Sequence, residues 1–167
     1  MQTRTVKVTY AEALLRDAVK TFVWRRVVLG MKALWVAEIV LIALLIWLPG
    51  TGQDQWLTGV VSVVALLPPA LVAAAWYAHH RNTVGKFRRM STPQGEFTLL
   101  DDALEVASEL GSAKIPWSGI TEVWEKPAYW MIFIGPSQFM TLPTATVSSS
   151  DLAFIRTKVP PAVVKTR

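Results

Sequence analysis

The chain has 167 residues, 52% of them apolar and only 17% charged, with eight Trp, no Cys and a formal net charge of +5. Average soluble domains are nearer a quarter charged, so the composition argues against an ordinary soluble globule, and the lack of Cys excludes disulfides, thiolate metal sites and a cysteine nucleophile. The charge is also unevenly placed: net +4 over residues 1–26, −1 over 27–80, +4 over 81–95 and −2 over 96–167, so the basic groups flank the apolar stretches and do not form the folded basic face a nucleic acid needs.

Residues 1–26 divide into a strand and an amphipathic helix. Residues 4–10 alternate as in a strand. From 11 to 26, Leu14, Leu15, Ala18, Val19, Phe22 and Val23 share one helical face. Arg16, Asp17 and Lys20 lie on the polar side, and Glu12 is spaced to pair with Arg16 at i, i+4. Such a helix suits either the membrane surface or the face of the C-terminal domain.

Residues 27–80 predict a transmembrane helical hairpin, with spans at 27–48 and 56–78. The second span has no charged side chain from Trp56 to Ala78. Trp56 and Trp76 are twenty residues apart, which on a helix is about 30 Å, roughly the thickness of the hydrocarbon core. Tryptophan at both ends matches the aromatic belts of a bilayer. The first span starts after Trp24, Arg25 and Arg26 and ends at Trp47 and Pro49, with Lys32 able to snorkel back to the headgroups. A cleaved signal peptide fits this stretch poorly, because it starts late and no small-residue cleavage site follows. The loop between the spans is short, turn-rich and free of Lys and Arg, whereas both outer flanks are basic. Short basic segments stay in the cytoplasm. The expectation is a multi-pass protein of the bacterial inner membrane with both termini cytoplasmic.

Two features interrupt the spans. Glu38 is twelve residues from Arg26, roughly 18 Å along a continuous helix, and a charge at such depth costs at least ~3 kcal/mol. Pro68 and Pro69 remove two amide donors, freeing the carbonyls of Val64 and Ala65. Glu38, Pro68 and Pro69 therefore form a candidate polar site within the membrane. In it a protonated Glu38 donates to the weakened segment or to a second copy of the chain. A packing role outweighs a proton or ion site.

Residues 81–95 read as a basic linker. Arg25, Arg26, Arg81, Lys86, Arg88 and Arg89 are candidate headgroup contacts, each contributing about 1 kcal/mol near an anionic surface. From residue 96 to 160 the pattern becomes short strands at close spacing, at 96–100, 103–109, 113–117, 120–125, 129–134 and 138–142. Ser148 to Asp151 then offer an N-cap for a helix over 151–159, ended by Pro160 and Pro161, with 161–167 as a tail. The fold class expected is an α+β membrane protein, a two-helix hairpin carrying a small antiparallel β-domain closed by a C-terminal helix, with the N-terminal strand free to add to a sheet edge. Trp117 is expected in the core. Trp124, Tyr129 and Trp130 are core candidates too, with an aromatic partner surface as the second reading.

The segments Asp101-Asp102-Ala103-Leu104, Ile115-Pro116-Trp117-Ser118-Gly119-Ile120, Glu122-Val123 and Thr141-Leu142-Pro143, after a basic start and a two-helix hairpin, resemble the YcxB-like family. The resemblance implies a pleckstrin-homology-like domain, a bent sheet capped by the last helix. Some members resemble immunity proteins encoded beside secreted antibacterial toxins. Thr144 stands where the family often has a basic residue, so no phosphate contact is implied there.

No catalytic constellation accompanies this layout. His79 and His80 are adjacent and face different ways on a helix. Asp101-Asp102 is a turn signal, and Ser148-Ser149-Ser150 lacks a histidine partner. No phosphate loop, dinucleotide fingerprint or paired His/Glu helix is present. The expectation is a non-enzyme without cofactor or metal, binding the bilayer and a protein partner, a toxin in the immunity reading, with homo-oligomers as a further option. Envelope or lipid regulation, or small oligomeric transport through Glu38, are the alternatives.

Overall fold

The computed structural model describes residues 4–48 and 55–166. The loop expected between the spans therefore falls, but for Gln55, outside the described residues. The chain forms two compact units, Met1–Ala18 with Val84–Arg167, and Val19–Thr83.

The first unit holds the β-structure. Strand β1 (Arg4–Thr9) leads to helix α1 (Glu12–Phe22), which starts in this unit. After the second unit the chain returns as β2 (Gln94–Leu99), β3 (Ala103–Ser108) and β4 (Gly111–Pro116). These four strands make one antiparallel sheet in the order β1-β2-β3-β4. The next strands, β5 (Glu122–Glu125), β6 (Tyr129–Phe133) and β7 (Phe139–Pro143), form a second sheet. Helix α5 (Ser149–Lys158) follows, capped by the Ser148 hydroxyl, which accepts from the Asp151 amide at 3.1 Å. A last strand, β8 (Val164–Thr166), pairs parallel with β5, giving the order β7-β6-β5-β8.

Alternation explains the core. Inward residues Val6 and Val8, Phe97 and Leu99, Leu104, Ile115, Val123, Trp130, Ile132 and Leu142 meet Ile155 of α5 and Val159 beyond it in one buried cluster. The motif Ile115 to Ile120 carries the chain from one sheet to the other. Pro116 closes β4, a 3₁₀ turn covers Trp117–Gly119, and the buried Trp117 indole donates to the Leu100 carbonyl at 3.0 Å. Two glycines are demanded by geometry. Gly111 has φ of 135°, open only to glycine. At Gly95 a Cβ would come within 2.9 Å of the Tyr10 ring.

Two expectations change here. The β-domain is two sheets and not one. It is not purely antiparallel either, because part of the expected tail forms β8. The N-terminal strand adds to a sheet edge as expected: β1, the outer strand of its sheet, pairs over its whole length with β2, from Arg4–Leu99 to Thr9–Gln94.

The second unit is helical. Helix α1 runs into a π-helix (Val23–Val28), whose last turn bonds Leu29 N–H to the Trp24 carbonyl at 2.8 Å. Helix α2 (Lys32–Trp47) packs on α3 (Gln55–Ala65), and α4 (Leu67–Phe87) begins in this unit and runs on to Phe87. The first apolar stretch is thus not one rod: Glu12–Val28 and Lys32–Trp47 are bent by 70°. Gly30 makes the bend feasible, since a Cβ there would run into the Arg26 carbonyl. The Trp35 indole donates to the Val28 carbonyl at 2.6 Å, satisfying an acceptor the kink exposes. Pro68 and Pro69 sit in the first turn of α4, where missing amides are tolerated.

Among the described residues, α3 and α4 taken together as Gln55–Phe87 make one helix that is long and apolar enough to cross a membrane by length and composition. The bent pair meets the same test only if counted as one span. The polar residues from His79 onward do not end the helix, so the expected linker is helical as far as Phe87. The change in polarity at His79 is not a change in backbone. No strong breaker stands between Trp76 and Phe87, and helix propensity carries the chain on.

Candidate functional site

In the helical unit a groove of about 540 Å³ runs between α2, α3 and α4. Leu34, Ala37, Leu41, Val64, Leu67, Pro68, Ala70, Leu71 and Ala74 line it with Glu38. This brings Glu38 and Pro68 together as expected, while Pro69 is not among the lining residues. Glu38 Oε2 is buried without a hydrogen-bond partner among the described residues. The hydrogen bond expected from Glu38 to the proline-weakened segment is therefore not made. The bend also relocates Glu38. It lies six residues into α2, about 9 Å along that helix, and not at the end of an unbroken rod. Glu38 is the sole titratable group lining the groove.

Around this groove the apolar side chains point outward. No residue of α2 is buried. Ile46 is 77% exposed, Ile39 68%, Leu66 67%, Trp56 66% and Leu67 60%. Such a contiguous apolar surface marks a membrane or protein contact.

The basic side chains divide. Arg25 and Arg26 are half-buried in the π-helix. Arg81 is exposed, its guanidinium 5.8 Å from the Tyr77 ring centroid. Lys86 and Arg89 are exposed, and their side chains make no ion pair among the described residues. Arg88 is different. Its Nε and Nη2 hold the Glu12 carboxylate at 3.1 and 2.6 Å, with Arg16 Nη2 on Oε1 at 2.7 Å. The Arg88 hydrogen bond holds the Glu12 pKa down to about 2, and the pair raises that of Arg88. Arg88 thus ties α1 to the chain before β2 and is not an open headgroup contact.

In the β-unit, Trp124, Tyr129 and Trp130 are all buried. The aromatic partner surface expected of them is absent because the second sheet is covered on both faces. Trp130 joins the main core. On the other face Trp124 packs on Phe133 at 4.7 Å between ring centroids. The Tyr129 hydroxyl donates to Asp17 of α1 at 2.6 Å, and Lys126 Nζ reaches the same carboxylate at 2.8 Å. Burial opposes the Lys126 charge, but its bonds to Asp17 and Tyr129 outweigh that and hold its pKa above the usual lysine value. Helix α1 therefore meets the β-domain through Asp17 on its polar side, one of the two placements its pattern allowed.

What remains distinctive in this unit is the outer edge of β5, a strand whose four residues are all buried, including Glu122 and Glu125. Arg156 of α5 clamps Glu125, and Lys165 of β8 pairs with Glu122. Sequence reasoning missed this edge. Its signal was two acids three apart in an otherwise apolar strand, answered by a lysine beyond Pro160-Pro161. Thr144, at the position questioned for phosphate, donates to the Pro127 carbonyl at 2.7 Å and serves a turn. Among the described residues no cluster of His, Asp and Glu could hold a metal ion.

Residues 99–159, from the end of β2 to just past α5, match the family model described as YcxB-like protein. Over that segment the family is the one to which the motifs at 101–104, 115–120 and 141–143 point. No curated protein matches the chain, and no solved structure does.

Proposed function

We propose that this is a membrane-anchored binding protein that works by protein–protein contacts at the bacterial inner membrane, without catalysis. The observation that carries the reading is that the exposed apolar helices are an insertion between β1 and β2, two strands of one ladder. An insertion that leaves one side of a bilayer and returns to a paired strand crosses an even number of times. That agrees with a two-span hairpin at 27–48 and 56–78 and with both ends in the cytoplasm, as the basic flanks favour. The meander β1-β2-β3-β4, a second sheet and a closing α5 support a pleckstrin-homology-like reading of the β-domain. The specific form of the function is immunity, the capture of an antibacterial toxin at or in the membrane. Affinity capture from detergent-solubilised membranes tests the reading, with identification of what co-purifies. A toxin lethal only in cells lacking this protein selects the immunity form. Absence of any specific protein partner defeats both.

A second reading is favoured by the unpartnered Glu38 carboxylate in its apolar groove. On it, hairpins assemble into a small oligomer that conducts protons or transports an ion through Glu38. Proton flux into liposomes, lost with Glu38→Ala, selects this reading. The same liposomes without flux return the carboxylate to packing. Regulation of envelope lipids through Lys86 and Arg89 has only their exposure behind it.

A further inference from the structure

Strand β5 lies between β6 on one side and, on the other, β8, a strand of only three residues. β8 is three residues long, is the outer strand of its sheet and pairs in parallel, the weaker geometry. Val164 stands opposite Val123, Lys165 opposite Trp124 and Thr166 opposite Glu125. Pro160 and Pro161, which have no amide to donate, join it to α5. Lys165 remains 53% exposed while the carboxylate it meets, Glu122, is buried. What β8 covers is costly to uncover. Without it, the outer N–H and C=O groups of β5 are open, which is a template for pairing with another chain. The edge also has a definite chemistry. Val164 packs on the core cluster, and the acid beside it accepts a lysine.

We propose that the outer edge of β5 is a strand-acceptor site, closed in this state by Val164–Thr166. It takes in their place an extended segment of another protein that carries an apolar residue followed by a lysine or arginine. Main-chain bonds to β5 supply affinity, and the Glu122 carboxylate supplies the preference for a basic side chain. The site rests on the reading of this chain as a protein-binding module and gives that reading a place and a ligand class.

The test uses the full chain in detergent micelles and, as probe, a fluorescent peptide of residues 160–166, Pro-Pro-Ala-Val-Val-Lys-Thr. Lys165→Glu sets like charges against each other at Glu122 and opens the edge. The variant chain binds the peptide at least tenfold more tightly than the unaltered chain, and the same peptide with glutamate for its lysine loses that binding. Equal binding to both chains, or indifference to the peptide's lysine, overturns the proposal. Hydrogen exchange on the unaltered chain gives an answer that needs no variant. The β8 amides exchange by local opening at least a hundredfold faster than those of β6. If instead they exchange together with β6, the edge does not open and the proposal fails. The two levels separate cleanly. A partner that co-purifies equally well when the β5 edge is locked overturns this site and leaves the binding function standing. Peptide capture by the opened chain upholds the acceptor chemistry of the edge, while the absence of any protein partner overturns the binding function on which its use by another protein rests.

Discussion

Arg156 and Glu125 meet fork to fork, Nε to Oε1 at 2.6 Å and Nη2 to Oε2 at 2.7 Å, across the join between α5 and β5. The carboxylate is buried and the guanidinium more than half exposed, with its Cζ 5.0 Å from the Trp130 ring centroid. Arg156→Met strands a buried charge. Full burial of both partners would make the loss 3–5 kcal/mol; solvent on the arginine side brings it to about 2–3 kcal/mol. Denaturant unfolding in micelles measures it. Adding Glu125→Leu to that variant should recover most of the loss, because the stranded charge is then gone.

Glu12 gives a pH signature. Its pKa near 2 lies below the ordinary value of 4.5, chiefly through the Arg88 hydrogen bond. A depressed carboxylate stabilises the fold fully above its unfolded pKa, and that contribution is lost as pH falls from about 4.5 toward 2. At pH 7 the unaltered chain should melt above Glu12→Gln, and the two melting curves should converge by pH 2. Raising salt at pH 7 should narrow the gap, since the pair is solvent-exposed.

Trp117 is buried and bonded at once. Trp117→Ala should cost about 3–5 kcal/mol, as removal of a large core aromatic does. Trp117→Phe keeps most of the apolar volume but orphans the Leu100 carbonyl, at a cost of about 1–3 kcal/mol. Thermal unfolding of the two variants orders them. Equal losses would mean the apolar volume that Phe retains contributes nothing, and no loss in Trp117→Phe would mean the indole bond contributes nothing.

Leu67 separates a lipid environment from water. It is 60% exposed near the middle of the apolar run. On a wetted surface Leu67→Arg would shift stability by no more than about 0.5 kcal/mol. In a bilayer it opposes insertion by about 2.5–3.5 kcal/mol. The variant should therefore move out of the carbonate-washed membrane fraction. Unchanged fractionation would count against the hairpin as a membrane element.

Much of the β-unit was legible because strands advertise themselves twice, by alternation and by the turns between them. Asp101-Asp102, Gly111 and Pro127 each fell where a ladder ends, and Ser148 announced α5. What was not legible depended on contacts distant in sequence. Nothing in Val-Lys-Thr marks β8 as a strand until β5 lies beside it. The surroundings of Tyr129 likewise depend on Asp17 of α1, 112 positions away. The π-helix and kink around Gly30 escaped because hydropathy has no term for backbone bending. A continuous greasy run from 27 to 48 looked like a continuous rod. At the candidate site, composition found Glu38 and Pro68 but could not decide whether they bond.

The β1-β2-β3-β4 sheet is assembled from strands translated far apart, β1 before the apolar helices and β2 after them. If the helices span a bilayer as proposed, an odd number of crossings would leave those two strands on opposite faces of it. Half a sheet keeps raw edges and an unfilled interior, the hallmarks by which quality-control proteases select their victims. On the proposed two-span topology, completion of this sheet would therefore report that the helical insertion has returned to the side from which it left.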